Sequence, residues 1–247
     1  MKNNRLFILI VVLVVIGLWI HSNQKTVIPI PIPIPSPPEP TPVVIPTISV
    51  VIPSFLQYDG IINQLKLWND EAQQLVEVGE CGQTSKNQII YYIRITNETI
   101  NKDKPKLLIT GCIHGNEPHS TATIMAYIGT LLSKYGQDAQ ITELLNTRDI
   151  YFIPVVSPDS YPNSREVDGV DPNRDFINVR SKTIASLQAF AKDKKFNAVW
   201  SGHTYGRVFL IPWGDSMDKC PDDAIYREIV GKIAEMCNYN MIRACEM

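Results

Sequence analysis

A histidine and a glutamate three residues apart, His114 and Glu117, stand in the stretch LLITGCIHGNEPHS at residues 107–120. An imidazole nitrogen and a carboxylate oxygen both suit Zn2+, and this spacing within a tight turn lets them converge on one point. Two protein ligands underfill a catalytic zinc site, which takes three and keeps one position open. The chain has four histidines, and His21 belongs to an N-terminal apolar segment, which leaves His119 and His203 as candidates for the third ligand. His203, in VWSGHTYG, follows the end of a strand-like run, as His114 does. His119 reads as a neighbour in the first turn of the next helix. An isolated His-x-x-Glu is more often a solvated turn, and the second strand-end histidine is what raises this one above that reading.

A second group lies in VVSPDSYPNSREVDGVDPNRDF, residues 155–176, where Arg165, Asn173 and Arg174 are interspersed with Asp168, Asp171 and Asp175. Arginine grips a carboxylate through two parallel hydrogen bonds, and asparagine adds a neutral donor. The segment is therefore dense in groups that recognise anions.

The elements that must position these residues alternate between helix and strand. Ile61, Ile62, Leu65, Trp68, Ala72 and Leu75 recur at helical spacing, and QIIYYIRIT (88–96) and KLLITG (106–111) read as strands. Ile124, Met125, Ile128, Leu131, Leu132 and Tyr135 trace a helical face that Gly136 closes. DIYFIPVV (149–156), NAVW (197–200) and RVFLI (207–211) are further strands, with helices around Ile184, Leu187 and Ala191 and around Ile225, Ile229, Ile233 and Met236. Such alternation predicts an α/β sheet covered on both faces. Ligands of these sheets sit at the carboxyl ends of strands, where His114, the 155–176 segment and His203 all begin.

Outside this part the chain changes in kind. Lys2 and Arg5 precede an unbroken apolar run from Leu6 to Ile20 with no small-residue cleavage site after it. Residues 1–24 are expected to be an uncleaved signal anchor that spans the membrane once and places the rest outside, extracellular or periplasmic; secretion after cleavage is the alternative. Residues 25–47 are Pro-rich and read as a stiff spacer, and residues 48–247 form the expected catalytic domain. The net charge of −2 gives no electrostatic case for nucleic acid as a partner. Five cysteines without a C-x-x-C spacing argue against a zinc knuckle, and one or two disulfides could form in an external domain. Asn97-Glu98-Thr99 fits the N-glycosylation pattern.

In order and approximate spacing, His114-x-x-Glu117, Arg165, Asn173-Arg174 and His203 resemble the zinc metallocarboxypeptidase family. SPDSY, residues 157–161, stands where that family usually has Asn-Pro-Asp-Gly-Tyr, and GVDPNRDF, residues 169–176, is close to its usual form. The likeness runs from about Tyr58 to the end of the chain. It implies a mixed, largely parallel sheet with helices on both faces. It also implies one Zn2+ per chain held by His114, Glu117 and His203, and hydrolysis of the C-terminal amide bond of peptides by a zinc-activated water. On the same resemblance Arg165 stabilises the oxyanion, and Asn173 and Arg174 hold the substrate's free C-terminal carboxylate. Asp171 accepts a hydrogen bond from His114 and fixes its tautomer.

One family residue has no match. A glutamate that acts as general base, with a mobile tyrosine before it, comes late in the family. Here GRVFLIPWG and a helix around residues 222–238 fill the segment after His203, and Glu246, in YNMIRACEM, has no matching context. The expectation is a domain that lacks the C-terminal part of its family. The alternatives are a cell-wall peptide amidase of the same fold and a zinc-containing peptide-binding module without turnover.

Overall fold

The computed structural model describes residues 57–100, 102–204 and 206–247. The apolar segment and the Pro-rich spacer lie outside the described residues. No helix among the described residues is long and apolar enough to cross a membrane.

Helix α1 (Tyr58–Glu71) leads into β1 (Val76–Gln83), β2 (Ile89–Ile95) and β3 (Lys106–Thr110). Helices α2 (Pro118–Lys134) and α3 (Ala139–Thr147) then precede β4 (Asp149–Ile153), α4 (Lys182–Lys194) and β5 (Ala198–Ser201). The five strands form one sheet in the order β1-β2-β4-β3-β5. The β1–β2 and β2–β4 pairs are antiparallel, whereas β3 runs parallel to both β4 and β5. Strand β4, at the centre, is buried along its whole length. That double burial is why the run DIYFI carries little polar alternation. Beyond the sheet, β6 (Val208–Ile211) and β7 (Asn240–Arg243) form a separate parallel pair joined through α5 (Asp223–Cys237).

Each face of the large sheet has its own core. On one, Ile61, Leu65 and Trp68 of α1 and Met125, Ile128 and Leu131 of α2 pack with Ile93, Ile109 and Phe152 of the strands. On the other, Ile184, Leu187 and Phe190 of α4 meet Ile90, Leu108, Tyr151 and Ile153. The helices begin where their sequences cap them. Pro118 opens α2, where its missing N–H costs nothing. Asp138 accepts from Gln140 N and Ile141 N at the start of α3, and Ser181 accepts from Ile184 N at the start of α4.

The structure departs from the sequence reading in several places. The helical spacing runs to Leu75, but α1 stops at Glu71 and Ala72 leaves helical backbone angles. Leu75 instead leads into β1, a strand whose VEVGECGQ holds few apolar residues because it is an edge strand. Helix α3 and strand β7 are also additions to that reading. Asn97 of the glycosylation pattern is fully buried. Its Nδ2 donates to Tyr135 Oη at 2.7 Å and to Asn146 Oδ1 at 2.8 Å, so the amide is a packing group with no access for a glycan. The five cysteines are all free in this structure.

Phe152 lies at 0% exposure in the central strand. Phe152→Ala is expected to lower the unfolding free energy by about 3–5 kcal/mol, measured by urea denaturation.

Candidate metal centre

The parallel register of β4, β3 and β5 brings their carboxyl ends, Ile153, Thr110 and Ser201, to one edge of the sheet. Three neighbouring strands therefore launch three loops side by side, and each carries part of the site. The pairing continues past the strand ends. Gly111 N donates to Ile153 O at 2.9 Å, Ser157 N to Cys112 O at 3.1 Å and Gly202 N to Thr110 O at 2.7 Å. Where the first two loops meet, a Cβ on Gly115 would lie 2.4 Å from the Ser160 carbonyl carbon. Only glycine permits that approach.

The loop after β3 turns tightly, with Glu117 N donating to His114 O at 3.2 Å. Ser120 Oγ supports the turn by donating to Glu117 O and accepting from Cys112 N, both at 2.8 Å. The Glu117 carboxylate then sits between two imidazoles. Its Oε1 is 2.9 Å from His114 Nδ1, and its Oε2 is 3.0 Å from His203 Nδ1. Thr204 N donates to the same Oε2 at 3.0 Å. Burial alone would raise the Glu117 pKa. Hydrogen bonds from the two histidines and from the Thr204 N–H outweigh it and hold the carboxyl down at about 2.

One ligand atom from each of His114, Glu117 and His203 lies within 4.8 Å of the others. Ligands about 2.0–2.1 Å from a tetrahedral zinc stand roughly 3.3 Å apart, close to the two contacts just given. His114 and Glu117 are buried, while the His203 side chain is 33% exposed. The donor set, its spacing and the single open side fit a zinc ion. His119 is exposed in the first turn of α2 and is not a member of the cluster.

The loop after β4 supplies the remaining predicted residues. His114 uses its second ring nitrogen, Nε2, on Asp171 Oδ1 at 3.0 Å, an arrangement that fixes the imidazole's orientation. Arg165 donates from Nε and Nη2 to Asp171 Oδ2 at 3.1 and 2.8 Å. Burial opposes the charge on Asp171, but the hydrogen bonds from His114 and Arg165 hold its carboxyl below the usual range. Asp171 also caps a short 3-10 turn, Pro172–Arg174, through Asn173 N at 2.9 Å. That turn presents Asn173 and Arg174 at the surface. Asp175, almost fully buried, closes the loop by accepting from Arg180 N and Ser181 N, each at 2.9 Å. Two contributors escaped the sequence reading: the Thr204 N–H, which no residue type signals, and Ser120, whose place beside the turn depends on where α2 starts. Glu246 is engaged by Arg243 at 2.9 and 2.6 Å and is not in the cluster.

A carboxyl whose pKa falls from 4.5 to about 2 on folding stabilises the fold above the unfolded value. That stability is lost as the pH falls toward the folded value. For the metal-free chain, Glu117→Gln is expected to be destabilising at about pH 6, with the deficit narrowing by about pH 3 in urea titrations. A deficit independent of pH would assign the effect to packing.

The model of the zinc carboxypeptidase family, peptidase M14, matches residues 61–243. Carboxypeptidase A2 of Rattus norvegicus is 28% identical over 162 residues, which cover 49% of this chain and 38% of that protein. Metallocarboxypeptidase A of Trichophyton rubrum is 24% identical over 196 residues, covering 62% of this chain and 46% of the relative. The matched part thus spans less than half the length of these curated relatives. The crystal structure of thrombin activatable fibrinolysis inhibitor superposes with a TM-score of 0.70 at 18% identity, covering 78% of this chain and 60% of that one. Carboxypeptidase A of Helicoverpa armigera gives 0.61 at 18% identity, covering 72% and 52%. With the family model matched across the sheet, its helices and all three loops, this chain belongs to the zinc carboxypeptidase family.

Proposed function

We propose that the chain acts as a zinc-dependent metallocarboxypeptidase that removes residues from the free C-terminus of peptides. The observation that carries this reading is the convergence of one ligand atom from each of His114, Glu117 and His203 within 4.8 Å, beside a loop bearing Arg165, Asn173 and Arg174. When bound, zinc supplies a Lewis acid for the scissile carbonyl and a water made acidic enough to attack near neutral pH. Four of the protein's residues would orient the metal ligand and the substrate. Arg165, held on Asp171 in the absence of substrate, would supply a charged donor to the oxygen on which negative charge develops. Arg174 offers a planar pair of donors to the substrate carboxylate, and Asn173 a neutral amide. Asp171 keeps the His114 ring turned so that Nδ1 faces the metal.

The proposal extends to location. The apolar run from Leu6 to Ile20 anchors the chain in a membrane, and the Pro-rich spacer sets the domain off from it on the external side.

Purified chain is expected to hold one zinc, measured by plasma emission, and to shorten peptides stepwise from the C-terminus, read by mass spectrometry. Peptides amidated at the C-terminus should resist. Equal cleavage of amidated peptides would remove Asn173 and Arg174 from the carboxylate clamp. Zinc-dependent binding of free-carboxylate peptides without cleavage would favour the non-hydrolytic binder. Where turnover is measured, Arg165→Ala is expected to lower kcat by about 100- to 1,000-fold.

A further inference from the structure

The loop that carries Arg165 and Asp171 is held from a direction unrelated to the metal ligands. Val167 and Val170 exchange backbone hydrogen bonds at 3.0 Å. The two residues between them, Asp168 and Gly169, have φ of 52° and 73°, which makes a tight type I′ turn. The Asp168 side chain reaches outward from this turn. Its Oδ1 accepts from Ser85 Oγ, and its Oδ2 accepts from Lys182 N at 3.3 Å. Ser85 lies in the turn between β1 and β2, and that turn also holds Asp159, nearer the start of the loop. Thr84 Oγ1 donates to Asp159 Oδ1 at 2.8 Å. Lys86 N donates to Asp159 Oδ2 at 3.3 Å, and Ser85 Oγ, whose single proton goes to Asp168, stands 3.4 Å from the same oxygen.

Neither turn needs these contacts for its own closure. Thr84 N donates to Gln88 O at 2.9 Å and Asn87 N to Thr84 O at 3.1 Å, which completes the β1–β2 turn by itself. Val167 and Val170 complete the other. The side-chain bonds therefore add a link between the two, made to carboxylates, the stronger kind of acceptor. Asp159 and Asp168 bracket Arg165, and Asp171 follows three residues after the second anchor point.

We propose that the β1–β2 turn, through Thr84 and Ser85, is a positioning element of the metal centre. By fixing Asp159 and Asp168 it sets where Asp171 and Arg165 stand relative to His114. This role rests on reading His114, Glu117 and His203 as metal ligands, and it adds residues from the far edge of the sheet to the set that tunes them.

The test is zinc affinity of the full chain, by chelator competition, for wild type and the Ser85→Ala/Asp168→Asn variant. Asparagine tolerates the left-handed backbone at position 168, so the turn is kept while one acceptor is lost. The variant is made in the native background and again with Asp171→Ala, which leaves His114 Nε2 without that acceptor. In the native background zinc should bind about three- to tenfold more weakly, less than the roughly 10- to 100-fold cost of losing a direct partner. With Asp171 already changed, the same pair should shift affinity by less than about twofold, since its route to the metal is gone. Ser85→Thr, which keeps the hydroxyl, should retain wild-type affinity. Equal weakening in both backgrounds would reduce the link to general stability and overturn the proposal, as would no weakening at all. Wild-type chain that binds no zinc would overturn the reading of the metal centre, and the positioning role with it.

Discussion

A carboxylate at 6% exposure dictates much of the architecture around it. Removing the Glu117 charge from water costs several kcal/mol unless hydrogen-bond donors replace the solvent. The fold supplies three, from two stretches of the chain: His114, and the neighbours His203 and the Thr204 N–H. His203 and Thr204 are separated from Glu117 by 86 and 87 positions, so only the parallel alignment of β5 with β3 brings them to it. The helices on both faces serve that alignment, because a parallel sheet needs both of its faces covered. The buried charge thus depends on the register of the sheet that the apolar cores hold.

Which parts of this were legible in the sequence follows from how local their causes are. Strands β3 and β4 show as apolar runs because both of their faces are buried, and α2 shows as a helical stripe because one of its faces is. The placement of His114 and His203 just past strand ends is equally local. Strand β1 is hidden because an edge strand with glycines at positions 79 and 82 carries no apolar run. Strand β7 has four residues, too few for a period to register. The burial of Asn97 depends on Tyr135 and Asn146, residues 38 and 49 positions away. Ser85 and Asp168 are 83 positions apart. Their pairing exists only after the sheet has formed, so spacing alone gives no sign of it.

The site is polarised by its exposure. His114 and Glu117 are sealed by the sheet edge and by α2, whereas His203 is one-third exposed and Asn173 and Arg174 stand open to solvent. A ligand therefore reaches the cluster from the side of His203 and of the loop after β4. The sealed side needs rigidity, and it has it: Asp171 orients the His114 ring, Ser120 braces the Glu117 turn, and Gly115 lets the two loops touch. On the open side Asn173 and Arg174 are exposed and carry no such bracing.

Arg165 shows how the two sides join. Its guanidinium is half-exposed, yet both Nε and Nη2 are spent on Asp171 Oδ2, while Oδ1 of the same carboxylate serves His114. An incoming anion that draws Arg165 toward itself must compete with that carboxylate. Any loss of the Arg165 bonds leaves Asp171 more strongly committed to the imidazole, since a carboxylate with fewer donors is the better acceptor for the one that stays. His114 and Arg165 are thus linked through a single side chain, that of Asp171.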